Sequence, residues 1–368
     1  MTAPPDYEFI GSKNSWYSAK VRACLQYKRI PYSEVGANGE TIGRVKRLTG
    51  NHFYPVVVCP DGTVLQDSCD IVEALEARHP ERPIVPDDPV QHLIATFFET
   101  VADEFLIQSG IYYRWIPEDT REWAVKMFVQ ICGERMTDPG AQRAARENGE
   151  RIAASIGKRV QSMADARKDV SRRVSEELCT RLDDHLQETP FLLGNRPCLA
   201  DVVLMNGFYG HFYRDPGELS DHIRWRCISL ALWLDHMLAA AGESDRGDLF
   251  LADSLGPVLE WCGAAYAEIA GAILDVADEV LPARSAGEEP PAILGRIDAD
   301  LHDTPTAGVA SAYTAWKLQR LIDRYRAVPE PRRSEADTWM ERARFLEICQ
   351  REPKWRMRKR EFLSLEVA

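Results

Sequence analysis

The chain contains no CxxC pair, no His/Cys grouping at metal-ligand spacing and no apolar run near the roughly 18 residues that a membrane-spanning helix needs. It also lacks any excess of positive charge: the formal net charge is -12 over 368 residues. Each absence removes a class of protein. The nine cysteines, at 24, 59, 69, 132, 179, 198, 227, 262 and 349, are scattered, which points to reduced and mostly buried thiols rather than a disulfide framework or a metal centre. An acidic surface argues against a general nucleic-acid binder, whose phosphate contacts need basic side chains. The opening MTAPPDYEF has neither the basic nor the apolar region of a secretory signal, so the expectation is a soluble, cytoplasmic protein with no membrane partner.

What is present is ordinary globular material, 45% hydrophobic and 28% charged, long enough for two domains because single cores rarely grow past roughly 250–300 residues. The stretch that organises the rest is SWYSAKVRACLQYKRIPY, residues 15–32. An extended, alternating YEFIG precedes it, and Tyr17, Val21, Cys24, Leu25 and Lys28 then recur at helical spacing. Hydroxyls therefore meet a helix N-terminus, where unpaired N–H groups favour an anion.

Further along, 31–36 reads as a second strand, parallel to the first across a right-handed crossover. Residues 41–50 read as a short helix ending at Gly50. PVVVC and TVLQ read as a hairpin turned by Pro60, Asp61 and Gly62, and SCDIVEALEARHP as a helix stopping before Pro80. Residues 7–79 thus run β-α-β-α-β-β-α. Three prolines in 81–89 suggest a linker. Beyond it the pattern is helical: 92–115, an Arg-rich 141–186, the very apolar 199–213, 227–240, and then 249–281, 306–326 and 335–350, with a loop at 283–292. REPKWRMRKR, 351–360, is basic and is expected to be solvated or internally paired.

Four motifs in this order resemble the cytosolic glutathione transferases. SWYSAKVR resembles their catalytic turn, Tyr54-Pro55 stands where they carry a cis-proline, LQDSCDIVEAL resembles their acidic-Ser-x-x-Ile signature, and FLLGNRPCLADVVL resembles the helix start of their all-helical second domain. The resemblance implies a thioredoxin-like α/β domain at 1–80, a linker at 81–89 and an all-helical domain at 90–243. A helical extension of unassigned role follows at 244–368.

It also implies glutathione as co-substrate, no metal, a homodimer and a detoxifying transferase activity. Ser15 is then the donor to the glutathione sulfur, with Ser18 the runner-up and Ser12 nearby. A free thiol near pKa 8.5 is only a few per cent ionised at neutral pH, and lowering it by about 2 units needs roughly 2.7 kcal/mol of preference for the anion. Tyr54 and Pro55 would present backbone to the cysteinyl part of the ligand. Ser68 at a helix start would take its α-carboxylate, and Asp67 or Gln66 its ammonium. Trp16, Tyr112, Tyr113 and Trp115, beside Arg114, are candidates for a pocket holding a hydrophobic electrophile.

Cys198 at the later helix start, with Asp201 beyond it, is structural. Trp16 replaces the usual proline, and with the long extension it supports the alternative of a non-catalytic binding or assembly module. A thiol-disulfide reductase would need cysteine at position 15.

Overall fold

The computed structural model describes residues 6–161, 165–302 and 304–368. It opens with β1 (Tyr7–Gly11), α1 (Trp16–Tyr27), β2 (Tyr32–Gly36), α2 (Gly39–Thr49), β3 (Val56–Val58), β4 (Val64–Gln66) and α3 (Ser68–Arg78). Strand order in the sheet is β2-β1-β3-β4, with β1 and β2 parallel and β3 antiparallel to both β1 and β4. The element order is the one the residue pattern predicts, and the arrangement is the thioredoxin-like one that the resemblance implies. The crossover helix α1 makes the first pair parallel, and the Asp61-Gly62 turn makes the last pair antiparallel, with Gly62 at φ +86° and Cys59 N–H donating to the Thr63 carbonyl.

A large helical region follows: α4 (Pro89–Thr100), a π turn at Val101–Phe105, α5 (Leu106–Trp115), α6 (Glu118–Cys132), α7 (Pro139–Gln161), α8 (Asp165–Leu186) and α9 (Leu199–Gly207). Then come a second π turn at Phe208–Phe212, α10 (Glu218–Arg226), α11 (Ile228–Leu238) and α12 (Leu255–Val280). The last elements are β5 (Ile293–Leu301), β6 (Thr304–Ser311), α13 (Ala312–Arg326), α14 (Glu330–Arg342), α15 (Leu346–Gln350), β7 (Met357–Lys359) and β8 (Leu365–Val367).

Several stretches depart from the sequence reading; the expected helix at 249–281 begins only at Leu255, and π turns interrupt 92–115 and end 199–213. Residues 306–311, expected to be helical, belong to β6, which pairs antiparallel with β5; helix begins only at Ala312, capped by the Ser311 hydroxyl. The expected helix at 335–350 starts earlier, at Glu330, and is broken by Arg344 at φ +52°, so that it becomes α14 and α15.

The chain forms two units. One consists of Met1–Ile84, Ile107–Ala164 and Asp201–Asp245, the other of Val85–Leu106, Asp165–Ala200 and Arg246–Ala368. In the first, the sheet buries Phe9, Ile10, Val56 and Val57 completely, and the Trp233 indole N–H donates to Asp201 at 2.9 Å. Lys28, paired with Glu76, donates to the Arg82 carbonyl, and Arg82 donates to the carbonyls of Tyr27 and Glu243, so the proline-rich stretch is tied down as far as Ile84. In the second, Phe97, Phe105, Tyr266 and Phe345 pack ring on ring at 5.3–5.8 Å. Beside them the buried Lys317 ammonium pairs with Asp103 at 2.8 Å and Glu99 at 3.7 Å. The basic stretch is internally paired: Arg351 meets Asp275, Arg356 meets Asp323, Arg358 meets Glu366, and the Lys359 ammonium lies 4.6 Å from the Trp316 ring centre.

Candidate functional site

Ser15 is the N-cap of α1. Its backbone is extended, at φ -93° and ψ 128°, and its Oγ accepts the Ser18 N–H at 3.3 Å. A hydroxyl has one proton to donate and two lone pairs, so accepting from Ser18 leaves the Ser15 O–H available to a second partner. Ser12 and Ser18 stand differently. Both are buried, and the Ser12 N–H donates to Ser18 Oγ at 3.2 Å while the Ser12 hydroxyl donates to Asn14. They shape the turn, and Ser15, half-buried, is the most accessible of the three.

The turn is clamped from behind. Arg114 on α5 is buried, donates to the Asn14 carbonyl at 2.7 Å and the Gly210 carbonyl at 2.6 Å, and closes a two-point pair with Asp215 at 2.6 and 2.8 Å. Sequence reasoning placed Arg114 beside an electrophile pocket, but its fork is spent inside the protein. Asp215 carried no signal in the sequence, because the two partners are 101 residues apart. Glu34 on β2 holds the other side, accepting Arg22 at 2.8 and 3.1 Å and Lys13 at 3.1 Å. Burial works to raise the Glu34 carboxyl, and the Arg22 hydrogen bonds with the Arg22 and Lys13 charges override it, leaving its pKa below the ordinary range.

Trp16, the first helical residue, is 3% exposed, with its ring edge-on to His211 at 5.0 Å and Phe212 at 5.6 Å. Gly110 makes room for it, since a Cβ there would sit 2.4 Å from Trp16 Cζ3. His211 is held neutral, its pKa lowered well below the usual value by burial and by the Arg114 and Arg214 charges. Tyr113 and Trp115 are also buried: Tyr113 faces Phe212, whereas Trp115 joins a separate cluster with Ala124 and Ala153. Tyr112, half-buried, packs edge-on to Tyr113 at 4.9 Å. Of the four expected pocket aromatics, Trp16 and Tyr113 thus share Phe212 and Tyr112 joins them through Tyr113, whereas Trp115 lies in another cluster.

The Tyr54-Pro55 bond is cis. Burial raises the Tyr54 phenol, against a hydrogen bond with Ser12, so it stays protonated at neutral pH. Gln66 is buried and exchanges hydrogen bonds with the Asn51 amide at 2.7 and 2.8 Å while donating to the Phe53 carbonyl at 2.7 Å. Its amide is thus occupied in fixing the 51–55 loop. Asp67 is the N-cap of α3, accepting the Cys69 N–H at 2.9 Å, and sits at φ +81°, a region that a non-glycine residue adopts at a cost of about 1–3 kcal/mol and that clusters at functional sites. Ser68 is the first residue of α3 and is buried. Behind these helix starts the Lys20 ammonium donates to Cys69 Sγ at 3.1 Å, joining α1 to α3. Burial pushes the Cys24 thiol to about 12, which removes it as a nucleophile.

Residues 9–83 match the family model of the glutathione S-transferase N-terminal domain. That match covers the first domain and shows a glutathione S-transferase N-terminal domain there. A probable maleylacetoacetate isomerase of Caenorhabditis elegans is 31% identical over 111 residues, 29% of this chain and 48% of that relative. The chain thus spans about half the length of the curated relative it matches. Among solved structures, the beta-etherase LigF of Sphingobium sp. strain SYK-6 is 19% identical with a TM-score of 0.47, covering 66% of this chain and 97% of that one. A glutathione S-transferase of Methylobacillus flagellatus KT with GSH bound is 22% identical with a TM-score of 0.35, covering 68% and 98%. No described helix is long and apolar enough to cross a membrane.

Proposed function

We propose that this glutathione transferase-superfamily chain is an active transferase that binds glutathione and presents it as a thiolate to an electrophile with a hydrophobic body. Ser15 donates its hydroxyl proton in a hydrogen bond to the sulfur, and the N-terminus of α1 adds its partial positive charge. The magnitudes suit the task. A hydrogen bond to a charged group contributes about 1.5–3 kcal/mol and a helix terminus about 0.3–1 kcal/mol, together near the roughly 2.7 kcal/mol that a 2-unit fall in thiol pKa requires.

The observation that carries the reading is the Ser15 hydroxyl, N-capping α1 inside a matched glutathione S-transferase domain with its proton still available. Ser68 and the α3 N-terminus would receive the ligand's α-carboxylate, Asp67 its ammonium, and the backbone at Tyr54-Pro55 its cysteinyl segment. In the reaction the sulfur–carbon bond forms as the leaving group departs with its electron pair, or as an unsaturated acceptor takes a proton. A homodimeric, cytoplasmic, detoxifying enzyme without a metal belongs to the same proposal.

The test is retention on immobilised glutathione, followed by conjugation of 1-chloro-2,4-dinitrobenzene. Ser15→Ala is expected to keep most of the retention and to lose at least tenfold in kcat, whereas Ser15→Thr keeps a hydroxyl at the same cap and retains activity. Undiminished turnover in Ser15→Ala would remove Ser15 from the role, and a native protein that neither binds glutathione nor turns over would remove the transferase reading.

A further inference from the structure

The first unit holds a cavity of about 480 Å³, within the roughly 300–1,000 Å³ of small-molecule sites. Its wall includes Lys13, Arg135, Arg146 and Arg214, with Glu134 the single carboxylate and Ile131 among its apolar members. Four cations to one anion is a local excess of three positive charges, on a chain whose net charge is -12. A low-dielectric cleft of one sign focuses its field on a ligand of the other.

The charges are not equally free. Lys13 shares Glu34 with Arg22, and Arg135 donates to the Glu34 carbonyl at 3.1 Å and lies 3.9 Å from Glu134. Among the described residues Arg214 donates to the Tyr209 hydroxyl at 3.4 Å and the Met127 sulfur at 3.6 Å and lies over the Tyr209 ring at 5.6 Å. The Asp215 carboxylate feels its charge but is hydrogen-bonded to Arg114, and no described carboxylate makes a salt bridge with Arg214 or with Arg146. In both arginines the Nε is buried without a hydrogen-bond partner. A guanidinium left in this state is costly unless something accepts from it, and a planar fork matches a carboxylate at two points.

The backbone accommodates the arrangement. A Cβ at position 133 would sit 2.9 Å from Arg146 Nε, so glycine there lets the arginine side chain pass close over the backbone. Lys13 stands two residues before Ser15, which puts part of this wall in the same turn as the proposed sulfur donor.

We propose that the electrophile is an anion: an aromatic or unsaturated carboxylic acid whose carboxylate is held by Arg146 and Arg214 while its apolar body lies against Ile131. This narrows the substrate class and rests on the transferase reading. With an aryl halide of this kind the glutathione thiolate forms the sulfur–carbon bond, chloride leaves with the bonding pair, and the carboxylate stays ionised throughout.

The test pairs 4-chloro-3-nitrobenzoate with its neutral isostere 4-chloro-3-nitrobenzamide, each rate divided by its uncatalysed rate. The native protein is expected to favour the benzoate by about tenfold in kcat/KM, the worth of one charge-assisted pair. That ratio falls towards one in Arg146→Gln and Arg214→Gln and is partly restored in Arg146→Lys and Arg214→Lys, with retention on glutathione reporting that each variant is folded. A native ratio near one, or a ratio unmoved in both glutamine variants, overturns the proposal. Should the native protein neither retain glutathione nor conjugate either compound, the transferase reading fails, and calorimetric titration with 4-chloro-3-nitrobenzoate alone decides the cavity. Binding weakened about tenfold in both glutamine variants upholds the anion site, and absent or unaltered binding overturns it.

Discussion

Arg114 donates to the backbone carbonyl of Asn14 at 2.7 Å, the residue immediately before the Ser15 cap, while its other edge is locked to Asp215. The pair is 3% and 5% exposed, and removing one partner of such a pair leaves a buried, uncompensated charge. Arg114→Met is therefore expected to cost about 3–5 kcal/mol in urea unfolding. Arg114→Lys keeps the charge but not the fork, so it should cost less in stability while still loosening the turn. A lysine variant with native stability and native kcat would show that the clamp does not position Ser15.

Trp16 and Gly110 form a matched pair. Gly110→Ala drives a methyl into the indole and is expected to cost about 1–3 kcal/mol as overpacking. Trp16→Ala instead opens a cavity, at about 3–5 kcal/mol. In a double-mutant cycle Trp16→Phe should relieve part of the Gly110→Ala penalty, giving a coupling energy clearly different from zero. Additive penalties would mean that the backbone shifts to make room.

His92 gives the second unit a pH dependence with a definite sign. Burial, helped by the Arg324 and Arg320 charges and opposed by Glu99, lowers its pKa from 6.5 to about 4. Between those values the unfolded chain binds a proton that the folded one refuses, so stability present above about 6.5 is lost as the pH falls towards 4. Urea midpoints at pH 7 and pH 4.5 should differ by less in His92→Gln than in the native chain. An unchanged difference would assign the acid sensitivity to other groups.

All nine cysteines are free, and only Cys132 is not fully buried. Burial raises the thiol of Cys262 to about 12 and pushes that of Cys349 up as well. Titration with an aromatic disulfide should count about one rapidly reacting thiol in the native protein and nine in denaturant, and Cys132→Ser should abolish the fast one. A fast phase surviving that substitution would locate an accessible thiol elsewhere.

The first domain was legible because its signals are local. Alternation marks β1, the Asp61-Gly62 turn marks the hairpin, and hydroxyl and acidic caps at Ser15 and Asp67 mark two helix starts, each within a few residues of what it shapes. The β5–β6 hairpin was not, since a register shift between Ile293 and Gly295 breaks its alternation and β6 runs directly into α13. Nor could the surroundings of Trp16 be read. A tryptophan at the start of α1 suggests a pocket wall, and only the tertiary fold brings His211, Phe212 and the bare backbone of Gly110 around it. The same holds for the cavity arginines, Arg146 on α7 and Arg135 and Arg214 in two separate loops, with no motif among them.

The interleaving of the two units bears on how this gene can be cut. The chain passes between them at residues 84/85, 106/107, 164/165, 200/201 and 245/246, so neither unit is a contiguous stretch. The segment beyond 245 is consequently not a detachable appendage. It supplies Lys317 to Asp103 and Glu99, Thr314 to Glu104, and Phe345 to Phe97. A version cut at 245 would take Lys317 from the buried Asp103 and Glu99, Thr314 from Glu104 and Phe345 from Phe97, and an expression library built on single-point truncations would sample broken halves rather than modules.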